Sequence, residues 1–127
     1  MSLVIDDLAQ YLALNGVGTL GVNLFEAFFP PNPDSATASL ETGGTKPEID
    51  IPLYSPSFQV LVRSTAYDLG RTQCDLIRSL LHNQYNKQFV VGGIYFYFTR
   101  LIADGGHIGQ DATGRDIWSM NFECLRR

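Results

Sequence analysis

Histidine, cysteine and clustered aspartate are the residue types in this chain that could do chemistry. His107 lies among Asp104, Asp111 and Asp116, while His82 closes a predicted helix. A histidine beside a carboxylate is two-thirds of a nucleophilic triad. The third member needs an activated serine with oxyanion donors, and no nucleophile-elbow glycine pattern exists here. Neither histidine has a second histidine or a cysteine at ligand spacing. The three aspartates do not alternate as calcium-loop ligands do and lack the closing glutamate. They read as turn and hairpin residues. Cys74 and Cys124 are far apart in apolar surroundings, which predicts buried thiols rather than a metal site or a disulfide framework.

Phosphate and base recognition fare no better. Gly16-Val17-Gly18-Thr19-Leu20-Gly21 fits the dinucleotide pattern by letter. That motif needs a strand before it and a helix after it, so that the helix N-terminus meets the pyrophosphate. Here a helix precedes and a strand follows, which predicts a turn. Gly43-Gly44-Thr45-Lys46 is followed by Pro47 rather than by a helix, so it is no phosphate loop. The run Tyr95-Phe96-Tyr97-Phe98 could stack bases only beside a basic groove. The net charge is −4 with a pI near 4.9, and Arg126-Arg127 is the one basic cluster. Such a chain does not grip nucleic acid; the charge suits either a surface past which DNA slides or solubility alone. No catalytic, cofactor-binding or metal residue is assigned, and no enzyme activity or cofactor is expected.

The elements that would position these residues follow from pattern. At 127 residues and 45% hydrophobic content, the expectation is one domain, 1–127, with an ordinary core. Charged residues make up 17%, below the roughly 25% usual for soluble proteins, which hints at surface covered by other protein. No stretch has the make-up of a signal peptide or reaches the ~18 apolar residues of a membrane helix, so a reducing cytoplasm is expected and no membrane partner. Residues 2–14 form a short amphipathic helix, stopped at Asn15-Gly16. Thr19–Phe29 reads as a strand that slips near Phe25, before the hard break Pro30-Pro31-Asn32-Pro33-Asp34. Ala36–Glu41 is a short strand, Thr42–Pro56 a long irregular loop, and Ser57–Arg63 a clear strand. Ser64 or Thr65 caps the principal helix, 66–82, with an apolar stripe of Leu69, Gln73, Leu76, Ile77, Leu80 and Leu81. Phe89–Val91 and Ile94–Ile102 are strands split by Gly92-Gly93, the second buried on both faces. Asp104–Asp116 is a glycine-rich connection to a last strand, Ile117–Leu125. The order predicts an α+β fold: a mainly antiparallel sheet packed against one long helix, with a short N-terminal helix.

Several stretches together resemble a known family. They are the N-terminal helix, Glu41-Thr42-Gly43-Gly44, the Phe58–Arg63 strand feeding its helix, and His107-Ile108-Gly109-Gln110-Asp111 with Gly114-Arg115 and Trp118-Ser119-Met120-Asn121-Phe122. The chain is similar to the minor capsid and tail terminator proteins of long-tailed bacteriophages, over nearly its whole length. The resemblance implies a virion protein of the neck, assembled in the host cytoplasm. It implies a homo-oligomeric ring, usually hexameric, at the head-proximal end of the tail tube. Its partners would be further copies of itself, the major tail tube protein and head-completion proteins, with DNA passing through the lumen unbound. A ring uses two different complementary patches on each copy. Segments 41–56 and 104–116 are the expected contacts, through Glu41, Thr42, Gly43, Gly44, His107, Gln110, Asp111 and Arg115. Arg63 and Arg100 are expected ion-pair partners across subunits. A head-side connector adaptor is an alternative of similar size, and a small ligand-binding domain or enzyme a more remote one.

Overall fold

The computed structural model describes residues 4–45, 55–81, 89–91 and 94–126. The first element is helix α1 (Val4–Leu14). It buries Leu8, Ala9 and Leu12, which recur at helical spacing. Asn15 donates its side-chain amide to the Tyr11 carbonyl at 2.8 Å, and Gly16 turns at φ +81°, ending the helix where the sequence predicts.

The predicted strand 19–29 shrinks to β1 (Leu24–Glu26). Turn chemistry overrides strand propensity upstream. The Thr19 carbonyl accepts the N–H groups of Val22, Asn23 and Leu24, and the Asn23 side chain accepts the Thr19 N–H at 2.7 Å. Gly21 supplies the positive φ such a turn needs. Leu20 and Val22 are left exposed instead of facing a core. β1 pairs in parallel with β2 (Ala36–Thr45), so residues 27–35 must cross over the sheet between them.

β2 then pairs antiparallel with β3 (Ser55–Ser64). This corrects the expected loop 42–56. Residues 42–45 and 55–56 belong to a ladder that continues through a bulge at Thr42, between Glu41 and Gly43. Residues 46–54 lie outside the described residues. Ala36, Ala38 and Leu40 stand opposite Arg63, Leu61 and Gln59, whereas Thr37 and Ser39 share the face of Val62 and Val60.

Helix α2 (Tyr67–Leu81) is of ordinary rather than great length, 15 residues. Its entry is shaped by Ser64, whose hydroxyl accepts the Ala66 N–H. The buried face is Gly70, Cys74, Ile77 and Leu81; of the expected stripe, Ile77 and Leu81 are buried and Leu80 packs against the core, whereas Leu69 is 63% exposed and Leu76 36%. Two small residues in its first half, Gly70 and Cys74, let the helix rest directly on the sheet, and Leu69 and Leu76 turn outward there. His82 lies outside the described residues. At the other end, Thr99 donates to the Leu81 carbonyl at 2.6 Å and satisfies an orphan helix-end acceptor.

β4 (Phe89–Val91) pairs with the start of β5 (Ile94–Gln110), and β5 pairs with β6 (Asp116–Arg126). The Asp104–Asp116 connection is corrected: 104–110 is strand and only 111–115 is turn. β5 stays in the sheet by bulging four times, adding Tyr97, Ile102, Gly105 and Ile108 without partners opposite. Gly106 and Gly109 adopt φ +59° and +126°, which ordinary residues resist. Ile102 and Ile108 are thereby displayed, at 50% and 58% exposure, so β5 is not buried on both faces.

The six strands order as β1-β2-β3-β6-β5-β4. It is an α+β arrangement, an antiparallel-rich sheet with two helices on one face. Phe58, Val60 and Val62 of β3 and Trp118, Met120, Phe122 and Cys124 of β6 meet Leu8, Leu12, Ile77 and Leu81 of the helices there. Phe58 and Phe122 stand opposite each other and stack at 5.3 Å. Each such large side chain contributes roughly 1.5–3 kcal/mol by burial. Both cysteines are buried free thiols. No helix among the described residues is long and apolar enough to cross a membrane.

Candidate functional site

The expected site residues fall in three places. The first is a node on the face away from the helices. Arg63, only 4% exposed, donates to the carbonyls of Pro33 and Asp34 and sits 4.4 Å from the centre of the Phe29 ring. Burial lowers its pKa first, with Arg115 adding to the effect against Asp111 and Asp34. Arg115 donates to Asp111 Oδ2 at 2.8 Å and reaches the Pro31 carbonyl and Asp34. Two arginines thus clamp the proline-rich crossover onto the sheet. Two of the donor groups of Arg63, Nε and Nη2, are thus directed at carbonyls of its own chain.

Asp111 organises the β5–β6 turn. Its Oδ1 accepts the Thr113 N–H, the Thr113 hydroxyl and the Arg115 N–H, each at about 3 Å. Burial alone would raise its carboxyl, but the Arg115 N–H, the Thr113 hydroxyl and the Arg115 guanidinium outweigh it and hold the pKa at about 2. Gly114 supplies the positive φ that closes the turn.

The second place lies between α2 and the β5–β6 hairpin. His107 Nε2 hydrogen-bonds Asp116 Oδ1 at 2.9 Å, and Gln110 donates to the same oxygen at 3.4 Å. The imidazole lies edge-on to Trp118 at 5.0 Å and beside Tyr67 at 5.3 Å. Trp118 in turn covers Gly70: a Cβ there would stand 2.1 Å from its Cζ3. A histidine–aspartate pair therefore exists, packed against the Tyr67 and Trp118 rings. Tyr67, Arg71, Cys74, Arg78, His107 and Trp118 border a recess of about 250 Å³. A second recess, of about 300 Å³, opens beside Val17, Asn23, Thr37, Leu69 and Gln73. Gln73 bridges it, donating to the Val17 carbonyl at 2.8 Å.

The remaining residues stand apart. Arg100 forms a cross-strand ion pair with Glu123 on β5 and β6. Glu41, Thr42, Gly43 and Gly44 lie on β2, on the far side of β3 and β6 from β5. Among the described residues no group of three His, Cys, Asp or Glu is placed to hold a metal ion.

Sequence reasoning missed the crossover clamp and Gly70. Arg63 and Arg115 meet partners some 30 and 80 residues away, which no local pattern encodes. Gly70 did leave a signal, since a glycine inside a strong helical pattern marks close approach.

A search of curated proteins finds no match. One solved structure is similar over 94% of this chain and 88% of its own, with a TM-score of 0.52 and 15% identity; at that identity it shows a shared fold only. The profile of the bacteriophage tail terminator protein family matches residues 11–126. That span runs from within α1 to the end of β6 and takes in every strand. The chain belongs to the bacteriophage tail terminator family, a family of phage tail structural proteins.

Proposed function

We propose that the protein closes the head-proximal end of the tail tube as a ring, ending tube polymerisation and presenting a docking surface to the head. The observation that carries this reading is the family match across residues 11–126. The fold supports it physically. A cyclic ring needs two unlike, complementary patches on each copy. The sheet offers two unlike edges: among the described residues β2 is uncovered beyond Ser39 and β5 beyond Phe96. The expected contact residues divide between them, with Glu41, Thr42, Gly43 and Gly44 on one side and Arg100, His107 and Gln110 on the other. Six copies, the tube protein and head-completion proteins are the partners in this reading. DNA passes through the lumen, repelled mildly by the net charge of −4.

Electron microscopy of lysates from a parent phage carrying a stop codon in this gene tests the proposal. Overlong tubes without heads are the expected result. Tails of normal length beside unjoined heads would overturn it and favour a head-side adaptor.

A further inference from the structure

Two apolar surfaces of different shape flank the first half of α2. On its β2 side lies the recess of about 300 Å³ bordered by Val17, Asn23, Leu69 and Gln73. The turn around Thr19 leaves Leu20 and Val22 exposed next to Asn23, and Leu69 is exposed on the helix. Leu76 is exposed too, seven residues on from Leu69 and therefore on the same side of α2. These four side chains leave on the order of 400 Å² of apolar surface open, the size of patch that marks an interaction site on a monomer. Charge is missing from the same surface. No residue from Leu8 to Phe25 is charged, although Asn15, Thr19 and Asn23 are exposed among them, and Thr72 and Gln73 separate the two leucines of α2. Depletion of charge is what the core of an interface shows.

The second surface belongs to β5, three strand spacings or about 14 Å from β2 across β3 and β6. Ile102 and Ile108 stand exposed at two of its bulges. Ile108 follows His107, whose ring lies 5.3 Å from that of Tyr67 at the start of α2. The isoleucines and the recess thus occupy opposite flanks of one helix. We propose that Ile102 and Ile108 of one copy seat in the recess of the next copy, against Leu20, Val22 and Leu69. Unlike surfaces on opposite flanks carry one copy to the next in a constant sense, as ring closure requires. Area points the same way: each side of a stable interface buries about 800 Å², a little over half of it apolar, and the recess surface supplies about that share. Charge selects between occupants. An acidic or basic segment would lose its hydration against a surface with no charge to pair it, whereas the β5 bulges bring aliphatic side chains. The inference rests on the ring reading and names the two surfaces that meet.

The test is self-association of the purified full chain, read by sedimentation velocity across a concentration series. Val22→Asp and Ile108→Asp are run separately and as an equal mixture. Both positions are exposed, so both variants should melt as the wild type does; if Ile108→Asp melts lower, Ile108→Ser replaces it. Each variant alone should assemble about tenfold more weakly or worse. The mixture should form a one-to-one dimer and nothing larger. The intact recess of the Ile108→Asp chain takes the isoleucines of the Val22→Asp chain, while the two altered surfaces repel. Either variant assembling like the wild type would overturn the proposal. A mixture that stays monomeric would overturn it as well, and is the result expected if these surfaces face the tube protein or a head protein instead. A wild type that is monomeric at every concentration also overturns it, and the tail lengths of the stop-codon phage then still decide the terminator reading separately.

Discussion

At the residue scale, Gly70 sets how closely α2 can lie on the sheet. Alanine there would gain about 1 kcal/mol of helix propensity, but its methyl would stand 2.1 Å from Trp118. Overpacking of that kind costs about 1–3 kcal/mol, so Gly70→Ala should lower the melting temperature despite the propensity gain, as a thermal unfolding scan would show. Arg63 carries a second prediction. Arg63→Met keeps much of the volume but leaves the Pro33 and Asp34 carbonyls without a charged donor, at a cost of about 1.5–3 kcal/mol. Limited proteolysis should then cut within 30–34 sooner than in the wild type. Asp111 gives a pH dependence with a definite sign. Its folded pKa of about 2 lies below the unfolded value near 3.9. The stability it contributes is present above pH 4 and is lost as pH falls through the folded pKa. Urea titrations of wild type and Asp111→Asn should therefore differ at pH 7 and converge between about pH 4 and pH 2.

At the element scale, β5 was the hardest strand to read. Its glycines argue for a loop by composition, and only pairing with β6 shows them to be bulge residues. No atom lies within 4 Å of a Cβ placed on Gly106 or Gly109, so the demand at both is on the backbone alone. Gly109→Ala should cost about 1–3 kcal/mol through φ strain, whereas Thr113→Ala, in the turn beside it, loses only the hydroxyl's bond to Asp111. Comparing their denaturant midpoints checks the bulge assignment. β3 and β6, by contrast, were legible almost to the residue. Phe58, Val60 and Val62, and Trp118, Met120, Phe122 and Cys124, alternate strictly because one face of each strand meets the helices. α2 was legible in extent and in the face of its second half, where Ile77 and Leu81 of the expected stripe are buried. In its first half the spacing pointed to Leu69, while the small residues Gly70 and Cys74 took the buried side. Of the candidate site, local pattern reached the Asp111 turn. It did not reach the crossover clamp, whose contacts span the chain.

At the scale of the whole molecule, a monomer of 127 residues has an expected radius of gyration of about 14 Å. Small-angle scattering of the assembling protein should read well above that if it forms a ring, and should fall to about 14 Å once the ring is dissociated. Strand order has a further consequence. β6 alone joins β1-β2-β3 to β5-β4, and it pairs with β3 across a long sequence separation, as at Phe58 and Phe122. Closing so long a loop is slow, because its entropy is lost before the contacts form. Until β6 inserts, β3 and β5 each show the nascent chain an extra raw edge, and raw edges recruit other chains. Time is therefore a hazard for this protein: refolding yield should fall steeply with concentration, through a race between insertion of one strand and collision with another molecule.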